Sequence, residues 1–488
     1  MELDHEICEK ARLSRDPRFD GKFFTAVKTT GIFCRCTCPA PVAKKENVLY
    51  FKTAAEALEA GFRPCLRCRP EAAPGSADWH GSTDLVKRAL GMIRQGFLNE
   101  NSVRDLAETL GISARHLSRL FRDNIGIPPV RIATYHKVMF ARKLLFETDL
   151  NITHIALASG FGSIRQFNDA FHSTLGISPS RIRKEMDSNN ISVQSPLKLR
   201  LYYRPPFNWE EILIFMRPRL IPGVEYVGMG RYMRSFRLEG NCHGWFEVKD
   251  NPEHNLLELN LSVNGLEKLM AIVQRVRNMF DLDLDPMAVE QILSGDERLK
   301  TLVSKYPGMR IPGAWDPFEF SIRAILGQQI SVKGASTLAG RIAGQYGKEC
   351  SGDLPGGITR FFPDPEELKD ADFSKIGLTE KRRETLAGFV KAVLDEHVSL
   401  DRGQDIHSFI RSFTCLKGIG NWTAHYVAMR ALRMPDAFPH TDLGIKKALS
   451  RNGKFPGPSE VLKIAERWRP WRAYGALYLW KKLQEERG

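Results

Sequence analysis

Five cysteines crowd the N-terminal region: Cys34, Cys36 and Cys38 in GIFCRCTCPA, then Cys65 and Cys68 in FRPCLRCRP. Cys34-x3-Cys38 and Cys65-x2-Cys68 form two knuckle-like pairs with 26 residues between them, ordinary spacing for one four-thiolate zinc site. Zinc holds cysteine as thiolate at neutral pH. A segment of about 70 residues has little core of its own, so a structural metal that helps it fold is the plain reading of the spacing. Cys36 is surplus, either a bystander or a substitute for a neighbouring ligand.

A second group lies near the other end of the chain, in LKGIGNWTAHYVAMRAL (416–432) and HTDLGIKKAL (440–449). Gly418 and Gly420 permit a tight hairpin between two helices, with exposed amides that can approach a phosphate. Asp442 stands where the next helix starts, which makes it a good N-cap and also a candidate carboxylate for chemistry. Trp422, Tyr426 and Trp480 are aromatic residues of the kind that build cores or base-stacking pockets.

The middle of the chain reads NSVRDLAETLGISARHLSRLFRDNIGIPPV from Asn101 and NITHIALASGFGSIRQFNDAFHSTLGISPSRI from Asn151. Each stretch has a polar start, a short helix, a glycine turn and a second helix with basic or amide groups on one face, so the helix-turn-helix pattern occurs twice. Ser113, Arg115, His116 and Arg119 mark the first recognition helix, and Ser163, Arg165, Gln166 and Asn168 the second. Residues 82–187 hold 15 Lys or Arg against 10 Asp or Glu, adequate for a DNA face. A helical bundle with solvated charged faces is the alternative.

These groups need several elements to position them. At 488 residues the chain is long for one core, and roughly 150 residues per domain suggests about three. The polar stretches PEAAPGSADWHG (70–81) and DSNNISVQS (187–195) read as linkers. LKLRLYY, MRSFRLEG, GWFEVKD and NLLELNLSVN alternate as strands, and helical periodicity follows after Leu266. The fold class expected is multidomain and mainly α with small β parts: a small α/β zinc module (1–72), two helix-turn-helix units (82–187), a small antiparallel β-α domain (196–285) and an all-helical body (286–488). A net charge of +14 with 10% aromatic residues fits a nucleic-acid partner. No apolar run approaches the ~18 residues of a membrane span, and MELDHEICEK is too charged for a signal peptide. A cytoplasmic, nucleoid-associated protein with no membrane contact is expected, and its clustered cysteines then hold metal rather than disulfides.

Three resemblances sharpen this picture. FFTAVKTTGIFCRCTCPA with ENVLYFKTAAEALEAGFRPCLRCRP resembles the N-terminal module of the Ada family of alkylation-damage response proteins. The resemblance implies one zinc ion on Cys34, Cys38, Cys65 and Cys68, with Cys34 accepting a methyl group from a DNA methylphosphotriester. Such a transfer makes a thioether and removes one negative charge from the cluster, which turns a repair event into a switch of DNA affinity. GFGSIRQFNDAFHSTLGISPS is similar to the AraC-type DNA-binding region, implying an activator that contacts double-stranded DNA and RNA polymerase. The Pro-Cys-His-Arg motif of a second Ada methyltransferase domain is absent from the sequence.

From about residue 196 onwards, the hairpin and aspartate resemble the helix-hairpin-helix DNA glycosylase superfamily. FEFSIRAILGQQIS (318–331) and ERWRPWRAYGALYLW (466–480) resemble its 3-methyladenine DNA glycosylase II branch of the AlkA type. This implies that Asp442 stabilises an oxocarbenium-like sugar and orients water while the alkylated purine is flipped out of the stack. Trp422, Tyr426, Trp480 and Gln328 are then substrate-binding, and Gln329 takes the wedge position. Asp436, the nearest rival carboxylate, does not fit the family position. Relatives that also cut the backbone carry lysine where this chain has Trp422, so a monofunctional glycosylase acting on alkylated DNA is implied. Thr414, Leu416 and Ile419 are placed to offer carbonyls to a monovalent cation. The whole chain is similar to an Ada-AlkA fusion acting as a monomer. The competing class is a DNA-binding regulator whose glycosylase region is inactive.

Overall fold

The computed structural model describes residues 4–65, 67–68, 70, 84–186, 196–450 and 453–486. The two expected linkers, apart from Pro70, lie outside the described residues. The chain divides into two compact units: residues 1–205, 251–277 and 282–284 form one, and 206–250, 278–281 and 285–488 the other. Among the described residues no helix is long and apolar enough to cross a membrane.

The first unit begins with helix His5–Ser14, capped by the Asp4 carboxylate, which accepts from the amides of Glu6 and Ile7. A four-stranded sheet follows in the spatial order Val48–Phe51, Phe24–Val27, Ile32–Arg35, Arg63–Pro64. The first two contacts are antiparallel and the last is parallel. Gly31, at φ +64°, closes the tight turn that pairs Val27 with Ile32. Phe24, Ala26 and Phe33 pack on Ala54 and Ala57 of helix Ala54–Glu59.

Helices Val103–Thr109 and Ala114–Ile125 make the first helix-turn-helix, and Ile152–Ala158 and Ile164–Leu175 the second. Each second helix starts on a serine cap and ends on a left-handed glycine, Gly126 or Gly176. A proline three residues on then opens the next helix, Pro129–Glu147 or Pro179–Met186. The apolar faces are buried: Leu117, Phe121 and Ile125 in the first, Phe167, Phe171 and Leu175 in the second. The same unit holds the antiparallel pair Leu197–Tyr202 and Leu256–Val263, with Leu199 opposite Leu259.

The second unit contains an antiparallel meander, Glu225–Gly228, Arg231–Leu238 and Cys242–Asn251, of which the first strand was not expected from the alternation. Buried Arg234, 1% exposed, pairs with Glu225 and Glu319, and Arg323 pairs with the same two carboxylates. This ties the meander to helix Pro317–Leu326, and breaking one member would strand an uncompensated charge. The rest is helical as expected, with one difference: a two-stranded hairpin, Glu349–Leu354 with Ile358–Arg360, interrupts the body expected to be all-helical. Gly356 and Gly357, both at positive φ, turn that hairpin.

Candidate functional site

Two groups singled out from the sequence each gather locally, the cysteines in the first unit and the residues around Asp442 in the second. Cys34 is in strand Ile32–Arg35, Cys38 follows the turn after it, and Cys65 is anchored by its amide donating to Phe33 O at 2.9 Å. The sulfurs of Cys34, Cys38, Cys65 and Cys68 all lie within 4.8 Å of one another, and Cys38 and Cys65 are 3.9 Å apart. A tetrahedral zinc with Zn–S bonds near 2.3 Å separates its ligand sulfurs by about 3.8 Å, so this donor set fits one zinc ion. Cys34 and Cys38 are half-buried, whereas Cys65 and Cys68 are buried.

The surplus thiol is explained by where the strand stops. In a continuous strand Cys34, Cys36 and Cys38 would share one face, but the strand ends at Arg35 and Cys36 turns into the core. It packs with Cys8, Ala11 and Phe23, is 2% exposed, and its thiol donates to Asp16 O at 3.5 Å. Burial pushes the Cys36 thiol well above its ordinary range. Arg35 braces the cluster instead: its amide donates to Cys68 Sγ at 3.3 Å, and its guanidinium binds the Asp20 carboxylate and Cys68 O. Arg142 donates to Cys65 O at 2.6 Å. Neither arginine was singled out from sequence, since each acts through a backbone group or a residue remote in the chain.

On the helix-turn-helix pair, Arg115, Arg119, Arg165, Gln166 and Asn168 are exposed and His116 is half-buried. Arg119 Nη2 lies 3.1 Å from His116 Nδ1, and Arg165 is 4.0 Å from Asp169. Ser113 and Ser163 are helix caps: their hydroxyls accept from the amides of His116 at 3.2 Å and Gln166 at 3.1 Å. Their place on the recognition helices is thus to start them.

The group around Asp442 surrounds a cavity of about 620 Å³ in the second unit, within the range of small-ligand sites. Asp442 caps helix Leu443–Ala448, its Oδ1 accepting from Ile445 N at 2.9 Å. The same carboxylate is gripped by two indoles: Trp422 Nε1 donates to Oδ2 at 2.7 Å and Trp480 Nε1 to Oδ1 at 3.0 Å. Cap and candidate carboxylate are therefore one arrangement, and the alternatives posed by the sequence do not exclude each other. Tyr426 stacks on Trp422 with ring centroids 5.1 Å apart and meets Trp480 edge-on at 6.1 Å. Asp436, by contrast, is neutralised by Arg469 and Arg472.

Helix Ile406–Thr414, the turn through Gly418 and Gly420, and helix Asn421–Arg430 form the hairpin that presents Trp422 and Tyr426. Gly418 has φ +85°, and a Cβ there would meet Thr385 Oγ1 at 2.1 Å. Gln328 does not line the cavity. Its Nε2 donates to Gly418 O at 3.1 Å and Thr423 Oγ1 at 3.0 Å, bracing the hairpin. Gln329 is exposed in the loop between helices Pro317–Leu326 and Val332–Tyr346, at φ +55°. Of the three carbonyls suggested for a monovalent cation, Leu416 O already accepts from Ile419 N at 3.1 Å, leaving it one lone pair.

Sequence reasoning missed Phe215, Phe320, Arg219 and Arg430, which also line the cavity. Arg430 had a readable signal, because it follows Trp422 and Tyr426 at four-residue steps along one helix face. Its Nη1 donates to Tyr426 Oη at 2.8 Å and its Nε to Pro312 O at 2.7 Å.

Comparison with known proteins agrees with this geometry. Residues 7–71 match the metal binding domain of Ada, 106–185 a helix-turn-helix domain and 198–316 the AlkA N-terminal domain. A Mycobacterium tuberculosis protein described as a probable bifunctional transcriptional activator/DNA repair enzyme AlkA is 38% identical over 489 aligned residues, covering 99% of this chain and 97% of its own. The Escherichia coli DNA-3-methyladenine glycosylase 2 is 35% identical over 286 residues, covering 57% of this chain and 95% of its own. A solved 3-methyladenine DNA-glycosylase from Archaeoglobus fulgidus superposes with a TM-score of 0.50 at 26% identity, over 58% of this chain and 96% of that one. Identity sustained across both full lengths, on top of a four-thiol cluster, two helix-turn-helix units and an aspartate held in an aromatic pocket, places the chain in the family of bifunctional transcriptional activator/DNA repair enzymes that join Ada-type and AlkA-type regions.

Proposed function

We propose that the chain hydrolyses the N-glycosidic bond of alkylated purines such as 3-methyladenine in double-stranded DNA. It also accepts methyl groups from DNA methylphosphotriesters and activates transcription in response. The observation that carries the first activity is Asp442, held by two indole N–H groups at an aromatic cavity large enough for a base. A purine alkylated on a ring nitrogen is already a good leaving group. One carboxylate then suffices to stabilise the electron-poor sugar and orient water. The electron-rich faces of Trp422, Tyr426 and Trp480 suit a cationic base. Trp422 offers no amine for a Schiff base, so the product is an intact strand with an abasic site.

For the second activity, the Cys34 sulfur attacks the methyl carbon of a neutral phosphotriester. The carbon–oxygen bond breaks and the phosphodiester leaves as an anion. When bound, zinc supplies the charge that keeps the four sulfurs as thiolates. The half-buried position of Cys34 leaves it within reach of such a substrate. Domain limits of 1–72, 82–187, 196–285 and 286–488, contact with RNA polymerase, a monomeric state and a cytoplasmic, nucleoid-associated location belong to the same proposal. So do DNA contacts through Arg115, His116, Arg119, Arg165, Gln166 and Asn168, a Gln329 wedge, and a monovalent cation at Thr414, Leu416 and Ile419.

Incubating duplex DNA bearing 3-methyladenine with the chain and with Asp442→Asn tests the reading. Free 3-methyladenine is expected from the first and little from the second. Absence of release from the unaltered chain would favour a regulator with an inactive glycosylase region.

A further inference from the structure

The cavity holds a phenol with an unspent proton. Tyr426 Oη accepts a hydrogen bond from Arg430 Nη1, so its own hydrogen points elsewhere, and among the described residues nothing accepts it. The ring cannot turn to find a partner. It is stacked on Trp422, edge-on to Trp480 and 5.4 Å from Phe320. Arg430 is equally fixed: it is 5% exposed, donates to Pro312 O, and its guanidinium lies 4.8 Å from the Phe215 ring and 4.7 Å from Phe320. No carboxylate pairs with it among the described residues.

Resting on the glycosylase reading above, we infer that Tyr426 donates its phenolic hydrogen to the departing base and that Arg430 is the positioning residue that fixes this direction. Burial pushes the Tyr426 phenol up, but the charges of Arg430 and Arg219 more than offset it, so the phenol is more acidic than an ordinary tyrosine.

The inference matters for neutral purines. A ring-alkylated purine departs as a neutral molecule and needs no proton, whereas an unalkylated one departs as an anion. In that case the C1′–N9 bond breaks with its electron pair on N9, and the Tyr426 hydrogen passes to an acceptor on the purine edge. Water oxygen bonds to C1′ and its proton goes to Asp442. Asp442 then gives its proton up to solvent, the phenolate, its charge offset by Arg430, regains one from solvent, and the sum is hydrolysis. Donation of this kind is worth typically 10²–10⁴-fold where the leaving group needs it.

The test uses the full chain with duplexes carrying a single 7-methylguanine or a single hypoxanthine, read as single-turnover release between pH 6 and 9. Tyr426→Phe keeps the stacked ring and is expected to lower hypoxanthine release at least ten-fold more than 7-methylguanine release. Arg430→Met is expected to do the same and to move the alkaline limb of the hypoxanthine profile to higher pH. Equal losses for both bases with Tyr426→Phe would overturn the inference, as would an unaltered chain that releases 7-methylguanine but no hypoxanthine. Release of neither base by the unaltered chain would instead sink the glycosylase reading itself.

Discussion

Asp442 does two jobs with one side chain, and the two can be separated by a single substitution. Asn is as good an N-cap as Asp and keeps the same shape, so Asp442→Asn should hold the Ile445 amide while losing the charge that faces the cavity. We expect excision to fall by about 10²–10⁴-fold, with a stability change under about 1 kcal/mol, measured by single-turnover release and urea unfolding. Cys36 gives a matching separation at the other site. Because its thiol lies in the core and outside the sulfur cluster, Cys36→Ser should keep one zinc per chain by metal analysis and keep methyl acceptance, whereas Cys34→Ser should abolish acceptance. The sequence offered both cysteines and both carboxylates. What it could not offer was that Asp436 is spent on Arg469 and Arg472, or, beyond a four-residue spacing, that Arg430 grips Tyr426 inside the cavity. Those depend on neighbours tens of residues apart, or on which helix face is buried.

Among elements, the glycine hairpin is the most exposed to perturbation. Gly418→Ala adds a Cβ at positive φ into contact with Thr385, and should cost about 1–3 kcal/mol of stability together with a loss of duplex affinity in a fluorescence anisotropy titration. The helix that follows, Asn421–Arg430, also carries His425, which burial and nearby His440 push down to about 4. The folded state keeps that imidazole neutral while the unfolded state protonates it near pH 6.5. Stability from this group is therefore full above about pH 6.5 and falls as pH drops towards 4. Urea midpoints at pH 7.5 and 5 should differ by less in His425→Gln. The serine caps were readable as starts of helices from their place before the periodic residues. That they are occupied as caps is seen in their hydroxyls accepting from the His116 and Gln166 amides, with Leu117 and Phe167 buried on the apolar faces.

At the scale of the molecule, the sulfur cluster belongs to the first compact unit and the residues lining the cavity to the second. Stripping metal with a chelator should make the first 70 or so residues sensitive to protease, while 3-methyladenine release at saturating chain stays within about two-fold, read on the same sample. With a net charge of +14, affinity for undamaged duplex should fall steeply as salt rises. The amino-acid sequence by itself determined the metal-ligand spacing, the doubled helix-turn-helix, the order of strands before helices and the position of Asp442. All of these are written in local periodicity, capping residues and fixed separations. Only the tertiary structure decided which of five cysteines share a centre, which carboxylate is held by indoles and not by arginines, and that the cavity lining holds a guanidinium against a phenol. Such facts arise when distant segments compete for the same buried space: apolar periodicity marks which face is buried, but not which remote residue meets it.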